Sequence, residues 1–228
     1  MLRKVAKYLP FGMQQEIKRL KFRSEIRRGV FRSPEPEARL LDNWVHEGDW
    51  VIDIGANVGH YTLALSALVG RSGRVIAFEP VPHTFELLAA NTALSKFPNV
   101  TLLSLAASDA VRVVGMNLPL FDSGLQNFYQ ARITPSEDAP YHVMALPTDA
   151  LRLAGPVALI KIDAEGHELS VLKGMRSLIQ LRKPVLIVEG AEVAVEMFLA
   201  ELGYQVTVNP ESPNRVYLPV ARSPSSLD

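Results

Sequence analysis

The sequence predicts an α/β fold in which helices cover both faces of a mostly parallel sheet. Two observations support this class: short β-branched apolar runs alternate with segments of helical period, and the runs lack the polar alternation of a half-exposed strand. Such uninterrupted runs are typical of strands that are buried on both faces. The runs are residues 50–54, 74–79, 100–106, 157–162 and 185–189.

The segments between these runs predict the helices. Apolar residues recur every three or four positions in residues 58–68, 169–179 and 194–202, which is the spacing of a helix with one buried face. The runs 205–208 and 215–218 then predict two terminal strands that pair antiparallel. One interval differs, since residues 109–147 contain no convincing crossover helix.

That interval predicts a strand-rich insertion. Residues 111–118 and 141–146 have strand patterns, and glycine, asparagine and proline are frequent in the connections between them. A connection of this length without a helix more often forms a lid or a wall of a substrate site than a loop without a function. We therefore expect the insertion to border a functional site.

Composition limits the classes of protein to consider. The 228 residues are 48% hydrophobic and 21% charged, which is typical of a globular chain with one large core. Cysteine is absent, so disulfides, thiolate nucleophiles and cysteine-ligated metals are excluded. No apolar run approaches the ~18 residues of a membrane span, and Lys7 and Pro10 interrupt the first apolar stretch, unlike a signal peptide. We expect a cytoplasmic protein.

Charge is distributed unevenly along a chain whose net charge is zero. Residues 1–32 contain ten Lys or Arg and two Glu, a net charge of +8, so the rest of the chain has a net charge of −8. Two prolines near residue 34 predict a boundary between a basic helical arm, residues 1–33, and the main domain, residues 34–228. We expect the arm to pack on the body through apolar side chains, while contact with a membrane surface or an anionic substrate stays open. The expected packing residues are Leu9, Phe11, Ile17 and Leu20.

A glycine turn follows the first predicted strand. The segment 51–59 (VIDIGANVG) ends in Gly55-Ala56-Asn57-Val58-Gly59, where glycine permits unusual backbone angles and close approach of a ligand. A dinucleotide-binding loop would have the pattern GxGxxG, but Asn57 and His60 replace its second and third glycines. The sequence of this loop is therefore only weak evidence for a pyrophosphate-binding site.

Acidic residues near this loop favour a different ligand. Asp53 precedes Gly55 by two residues and suits a cationic group, whereas Glu79 ends the second strand, where a carboxylate accepts both hydroxyls of a ribose. Ser108 and Asp109 follow the third strand at the same edge. An amino-acid cation joined to a ribose describes S-adenosylmethionine. Structural alternatives are a turn role for Asp53, a helix-cap role for Asn57 and a solvated Glu79.

A second acidic motif lies at residues 159–168 (LIKIDAEGHE). Asp163 should end a strand beside the first, close to the reactive methyl group, and a carboxylate there can accept a hydroxyl proton. Asp163 and Glu165 are therefore the candidate catalytic residues, and Glu189 and His142 the candidates for binding the acceptor. The alternatives are that Asp163 caps the next helix, or that carboxylates hold a divalent cation such as Mg²⁺, which we do not predict. Lys161 is interpreted as neutralising this cluster.

These stretches together resemble the FkbM family of S-adenosylmethionine-dependent methyltransferases. The resemblance covers about residues 48–204 and implies a class I methyltransferase fold, usually with O-methylation of sugars, polyketides or other small hydroxylated metabolites. The matching stretches are VIDIGANVGHYT at 51–62, VIAFEP at 75–80, AASD at 106–109, LIKIDAEGHELSVLKG at 159–174 and VLIVE at 185–189.

By resemblance, six residues carry over as cofactor positions, while the roles of Asp163, Glu165 and Glu168 are not fixed. We expect substrate choice to reside outside the clear match, in the basic arm and residues 122–139. The six cofactor positions are Asp53, Gly55, Asn57, Gly59, Glu79 and Asp109.

Three other functions compete with O-methylation of a small acceptor. An NAD(P)-dependent oxidoreductase would use the same edge of the sheet, but the GxGxxG pattern is broken. A nucleic-acid methyltransferase would have a basic body and an Asn- or Asp-Pro-Pro motif, neither of which is present. A protein that binds the cofactor without turnover is the third alternative.

Overall fold

The computed structural model describes residues 9–119, 131–134, 138–190 and 192–220. Seven of the strands in these residues form the central sheet, in the order β10-β11-β9-β8-β1-β2-β3. Strands β3, β2, β1, β8 and β9 run parallel, and β11 is antiparallel to both of its neighbours. The expected mostly parallel sheet with an antiparallel terminal pair is confirmed. The strands are β1 Trp50–Ile54, β2 Arg74–Phe78, β3 Val100–Leu103, β4 Ala106–Ala107, β5 Arg112–Asn117, β6 Arg132–Thr134, β7 Tyr141–Leu146, β8 Val157–Ile162, β9 Val185–Glu189, β10 Tyr204–Val208 and β11 Asn214–Pro219.

Helices cover both faces of this sheet, as the apolar runs predict. On one face, Val51 and Leu159 pack with Leu65 of α2, and Ala77 packs with Leu88 of α3. The other face lies under α4, α5 and α6. The α-helices are α1 Phe11–Arg27, α2 His60–Val69, α3 Pro82–Thr92, α4 Glu168–Lys173, α5 Arg176–Arg182 and α6 Val193–Glu201, and 3₁₀ turns span Pro36–Arg39, Leu41–Asn43 and Thr148–Leu151.

The insertion between β3 and β8 forms a second sheet, with the order β4-β7-β5-β6. Strands β5 and β7 pair antiparallel and confirm the two strands expected in this interval. Val114, Met116, Val143 and Ala145 form its own apolar cluster against Val81. Most of the segment 122–139, in which we expect substrate choice, lies outside the described residues.

The third predicted strand, residues 100–106, is two strands instead of one. Strand β3 is the edge of the central sheet and ends at Leu103, whereas β4 pairs with β7 of the second sheet. An apolar run cannot distinguish one buried strand from two short strands in different sheets. The chain therefore passes from one sheet to the other within this run.

The helix predicted over residues 169–179 is also two elements, α4 and α5, which are separated at Gly174. A Cβ atom on Gly174 would collide with the carbonyl oxygen of Ser108, so this position packs directly against the start of the insertion. The Asp149 carboxylate then accepts hydrogen bonds from the backbone N–H groups of Ser177 and Leu178, at 2.9 Å each, in the first turn of α5. The break is caused by tertiary contacts that local periodicity does not reveal.

The basic arm is helical, as expected, and Phe11 packs edge-on against His83 of α3, but the most buried side chains of the arm are not the expected ones. Phe22 and Phe31 are 4% and 8% exposed and form a cluster with Val58 and Leu87. The prediction that Ile17 and Leu20 face the body is wrong, because these side chains are 43% and 62% exposed. The division at residues 33 and 34 stays a prediction.

Within the described residues, no helix combines the length and apolarity needed to cross a bilayer.

Replacing Phe22 by alanine tests how firmly the arm is bound. Because this side chain is buried among apolar neighbours, we expect Phe22→Ala to lower the free energy of unfolding by about 3–5 kcal/mol, measured by urea denaturation. Leu20→Ala, on the exposed side of the same helix, is the matched control and should change it by less than about 0.5 kcal/mol. Equal, small effects of both variants would show that the arm contributes little to stability.

Candidate active site

A cleft opens at the carboxyl edge of the parallel strands, between the central sheet and the insertion. The loops after β1, β2 and β8 form its base, and the second sheet forms its apolar wall. Ligands of open parallel sheets bind at this edge. The polar or glycine residues that line it are Gly55, Asn57, Glu79, Asp163, Glu165 and His167.

The glycine loop after β1 approaches the end of β8 without room for a side chain. Gly55 has φ +73°, and a Cβ there would collide with the carbonyl oxygen of Asp163. Asn57 also has a positive φ, and its buried Oδ1 atom has no hydrogen-bond partner among the described residues. Because a buried acceptor without a donor is costly, this oxygen marks a position where a bound molecule would supply an N–H or O–H group. Gly59, with φ +95°, precedes α2.

Glu79 follows β2 and is 5% exposed. One carboxylate oxygen accepts a hydrogen bond from the backbone N–H of Asn57, at 2.9 Å, and the other accepts one from Val81, at 2.9 Å. Burial raises the pKa of Glu79 to about 7, although the two hydrogen bonds oppose this shift. The residue therefore fixes the glycine loop and also presents its carboxyl group to the cleft, a structural role that the sequence did not predict.

Asp53 does not reach the cleft. Its carboxylate is 2% exposed, faces Lys161 across the β1–β8 pairing, and accepts a hydrogen bond of 2.5 Å from the Thr62 hydroxyl. Burial raises the pKa of Asp53 to about 6. The structure therefore does not bring Asp53 into the cleft, where its predicted contact with a cationic ligand group would be made.

Asp163 and Glu165, which line the cleft, lie close to Glu189, which ends β9. Each offers a carboxylate oxygen within 4.8 Å of the others. Interaction with Asp163, together with burial, raises the pKa of Glu189 to about 8. Lys161 Nζ lies 3.7 Å from the Asp163 carboxylate. Its positive charge partly balances the negative charge of this carboxylate cluster.

Lys161 is 2% exposed and is connected to a buried polar network. Its ammonium group donates to Asn214 Oδ1 at 3.1 Å, and the Asn214 side-chain amide donates in turn to Glu37. The sequence indicated that Lys161 neutralises the acidic cluster, but it did not indicate that Asn214 and Glu37 are its hydrogen-bonding network. Asn214 belongs to β11 and Glu37 to a 3₁₀ turn, so neither is near Lys161 in sequence. A lone lysine within the apolar strand VALIKI is the signal that pointed to a buried ion pair.

The loop after β8 is held by Glu168. Its buried carboxylate accepts hydrogen bonds from the backbone N–H groups of Ala164 and Gly166, at 3.0 and 3.1 Å. Glu165 between them has φ +51°, which is uncommon for a residue with a side chain. Burial and the nearby Asp163 raise the pKa of Glu165, and Arg132 lies 3.9 Å from its carboxylate. Glu168 thus shapes the turn that presents Glu165 to the cleft.

Ser108 and Asp109 belong to a hydrogen-bonded group beside the cleft. Ser108 Oγ lies 2.9 Å from His167 Nε2, and Arg112 donates to Ser108 and to Asp109 at 3.1 and 3.0 Å. Burial works to raise the Asp109 pKa, but hydrogen bonds and the Arg112 charge lower it below its usual value. Burial lowers the His167 pKa, which favours the neutral imidazole. His167 lines the cleft itself, and sequence reasoning gave it no role.

His142 is not brought into the cleft. It lies on β7 opposite Gly115 and is exposed, whereas the neighbouring Val143 and Ala145 are buried. Because side chains alternate along a strand, His142 points away from the wall that Val143 contributes. Its position argues against the predicted contact with the acceptor.

Comparison with known proteins agrees with this geometry. The chain is similar to a solved FkbM methyltransferase of Methylobacillus flagellatus KT, with 19% identity and a TM-score of 0.53, over 75% of this chain but only 43% of that longer chain. It is also 27% identical over 184 residues to the hexuronic acid methyltransferase AglP of Haloferax volcanii, covering 77% of this chain and 72% of the relative.

The family model of the methyltransferase FkbM domain matches residues 53–206. This span runs from the glycine loop through the insertion and both acidic motifs to β10. The structure adds the strand order, the loops at the carboxyl edge and helices on both faces, which are the features of a class I methyltransferase fold. The chain belongs to the FkbM family of methyltransferases.

Proposed function

We propose that this protein transfers the methyl group of S-adenosylmethionine to a hydroxyl oxygen of a small sugar-like metabolite. The observation that carries the proposal is the single cleft in which the glycine loop, Glu79 and the carboxylates of Asp163 and Glu165 meet. Membership of a methyltransferase family favours methyl transfer over NAD(P)-dependent redox chemistry.

The residues at the glycine loop fit S-adenosylmethionine, which supplies an electrophilic methyl group when bound. Asn57 Oδ1 is a buried acceptor in need of a donor, and the cofactor has an amino group and two ribose hydroxyls. Each oxygen of Glu79 accepts one backbone hydrogen bond and keeps a lone pair for a ribose hydroxyl. Asp53 supports the loop from below.

The carboxylates at the end of β8 suit the removal of a hydroxyl proton. Asp163 lies 3.7 Å from Lys161 Nζ, and its carboxylate is grouped with those of Glu165 and Glu189. We assign the proton-accepting role to Asp163, and hydrogen bonding of the acceptor to Glu165 and Glu189. The chemistry is in-line displacement, so most of the rate should come from alignment and base assistance.

The relative that acts on hexuronic acid points to a sugar with a carboxyl group. Arg132 of the insertion is 63% exposed at its side chain, and its guanidinium lies 3.9 Å from the carboxylate of Glu165, which lines the cleft. It therefore offers an accessible guanidinium group to an acceptor carboxylate, for which bidentate pairing is favourable. A hexuronic acid contains hydroxyl groups as well as a carboxylate. Methyl transfer to a hydroxyl requires a base, whereas transfer to an ionised carboxylate does not.

Methyl transfer from labelled S-adenosylmethionine to a panel of uronic acids and their neutral counterparts tests the proposal. We expect a labelled product that survives mild alkali, because a methyl ether is stable there. A product that loses its label in alkali would be a methyl ester and would contradict transfer to a hydroxyl. No transfer to any sugar would contradict the proposed acceptor class.

Glu79→Gln tests the ribose contact. Since the folded-state pKa lies near 7, above the ordinary 4.5, the carboxylate becomes available as pH rises from 6 to 8, and affinity for S-adenosylhomocysteine should increase with it. Because the folded state holds the proton more tightly than the unfolded state, this group makes the ligand-free fold less stable as pH rises from about 4.5 to about 7. Calorimetry should show about ten- to hundred-fold weaker binding in Glu79→Gln at pH 8.

The pH dependence is the internal control for that experiment, because it should disappear in Glu79→Gln. Affinity that rises equally with pH in both proteins would assign the titration to another group, such as Asp53.

Asp163→Asn tests the proton acceptor. The amide keeps the size of the side chain but cannot take the proton, so kcat should fall about 10²–10⁴-fold while affinity for S-adenosylhomocysteine changes little. His167→Gln, in the same cleft, is the companion variant and should retain most of kcat. If His167→Gln is the slower variant, the imidazole is the base.

The same assay addresses a cation at this cluster. Stimulation of the wild-type protein by Mg²⁺, with loss of activity in a chelator, would show that Asp163 ligates a cation instead of accepting the proton.

A further inference from the structure

Helix α1 has an apolar stripe on the side that faces away from the body. Met13, Ile17 and Leu20 are 53%, 43% and 62% exposed, and their spacing of four and three residues places them on one face. Phe22 and Gln15, on the opposite face, are buried against the domain. One side of the helix is therefore buried against the domain, whereas the apolar stripe on the other side is not covered by the described part of the chain.

Basic side chains flank the exposed stripe on both sides. In helical projection, Arg23 and Arg27 lie on one side of Leu20, and Lys21 and Arg28 lie on the other. All four are exposed, and Arg23 and Arg27 form no ion pair within the described residues. A shallow groove of the surface is lined by Leu20, Arg23, Ser24, Arg27 and Arg28.

We propose that α1 is an interfacial helix that binds the surface of an anionic membrane. An exposed apolar stripe with a basic border is the pattern of helices that lie in the headgroup region. The stripe is short, so the attraction of lysine and arginine to anionic lipid must supplement apolar burial. The acidic body, with its net charge of −8, would be repelled by the same surface, which favours contact through the arm alone.

The alternative occupants of this face fit less well. Two α1 helices facing each other would bring like charges together. A nucleic acid would satisfy the arginines but would leave Met13, Ile17 and Leu20 against a polar phosphate backbone. An anionic lipid surface can pair with the basic side chains and also bury the apolar stripe.

Co-sedimentation of the full chain with vesicles tests the proposal. Vesicles of equal parts phosphatidylglycerol and phosphatidylcholine should bind the protein, and binding should weaken on going from roughly 0.05 M to roughly 0.5 M NaCl because salt screens the charges. Pure phosphatidylcholine vesicles should bind much less. Failure to prefer the anionic vesicles would overturn the proposal.

Two variants separate the apolar and basic parts. The triple variant M13S/I17S/L20S and the double variant R23E/R27E should each reduce vesicle binding at least about ten-fold. The control V193S/M197S changes two residues of α6 that are 69% and 63% exposed and should bind like wild type. Melting temperatures within about 2 °C of wild type would show that the variants are folded.

Two outcomes would reassign this face. If wild type sediments as a dimer that the triple variant converts to a monomer, and vesicle binding is absent, the face is an interface between two copies. If only R23E/R27E affects binding, and a polyanion such as single-stranded RNA competes fully, the face is a polyanion site and the membrane proposal is wrong.

Discussion

Lys161 holds a charged ammonium group in a part of the core where its side chain is 2% exposed, and a buried charge is tolerated only when it is paired and hydrogen-bonded. Its partners come from four separate parts of the chain: Asp53 on β1, Asp163 after β8, Asn214 on β11 and, through Asn214, Glu37. The acidic side chains that neutralise Lys161 therefore lie near the carboxyl edge of the parallel strands. Ligands of parallel sheets bind at this same edge.

The protonation of the cluster follows from that arrangement. Asp163 follows β8 and Glu189 ends β9, its parallel neighbour, so the two carboxyl groups lie close together. Interaction with Asp163, together with burial, raises the pKa of Glu189 to about 8, and the nearby Lys161 charge opposes this shift. A carboxyl group whose pKa is raised toward neutrality beside other carboxylates is the arrangement expected at a site that handles protons.

Several features of the fold and site could be predicted from sequence because they depend on local pattern. The central strands and the convergence of Asn57, Glu79 and Asp163 follow from apolar runs, since the loops after parallel strands meet at one edge. The direction of individual side chains was less predictable. Asp53 and His142 each lie within a strand, where a shift of one residue reverses the face, so one is buried beneath the loop and the other is exposed.

Contacts between distant segments were the least predictable. The hydrogen bonds of Glu168, the link from Lys161 to Glu37, and the inward turn of Phe22 instead of Ile17 depend on which surface each element meets. The spacing of apolar residues in α1 does not determine which of these side chains the body covers. That choice depends on the shape of the partner surface around Val58 and Leu87.

The close contact at Gly174 has a consequence for how the domain folds. Helices α4 and α5 contain six and seven residues, too short to be stable alone in water, and the link between them rests on Ser108, at the start of the insertion. The Asp149 carboxylate, which comes after β7, caps α5. One wall of the cleft and one helical layer of the core therefore support each other, so local opening of the insertion must be thermodynamically coupled to fraying of that layer. The insertion behaves as part of one cooperative unit, and access to the cleft depends on the stability of the domain itself.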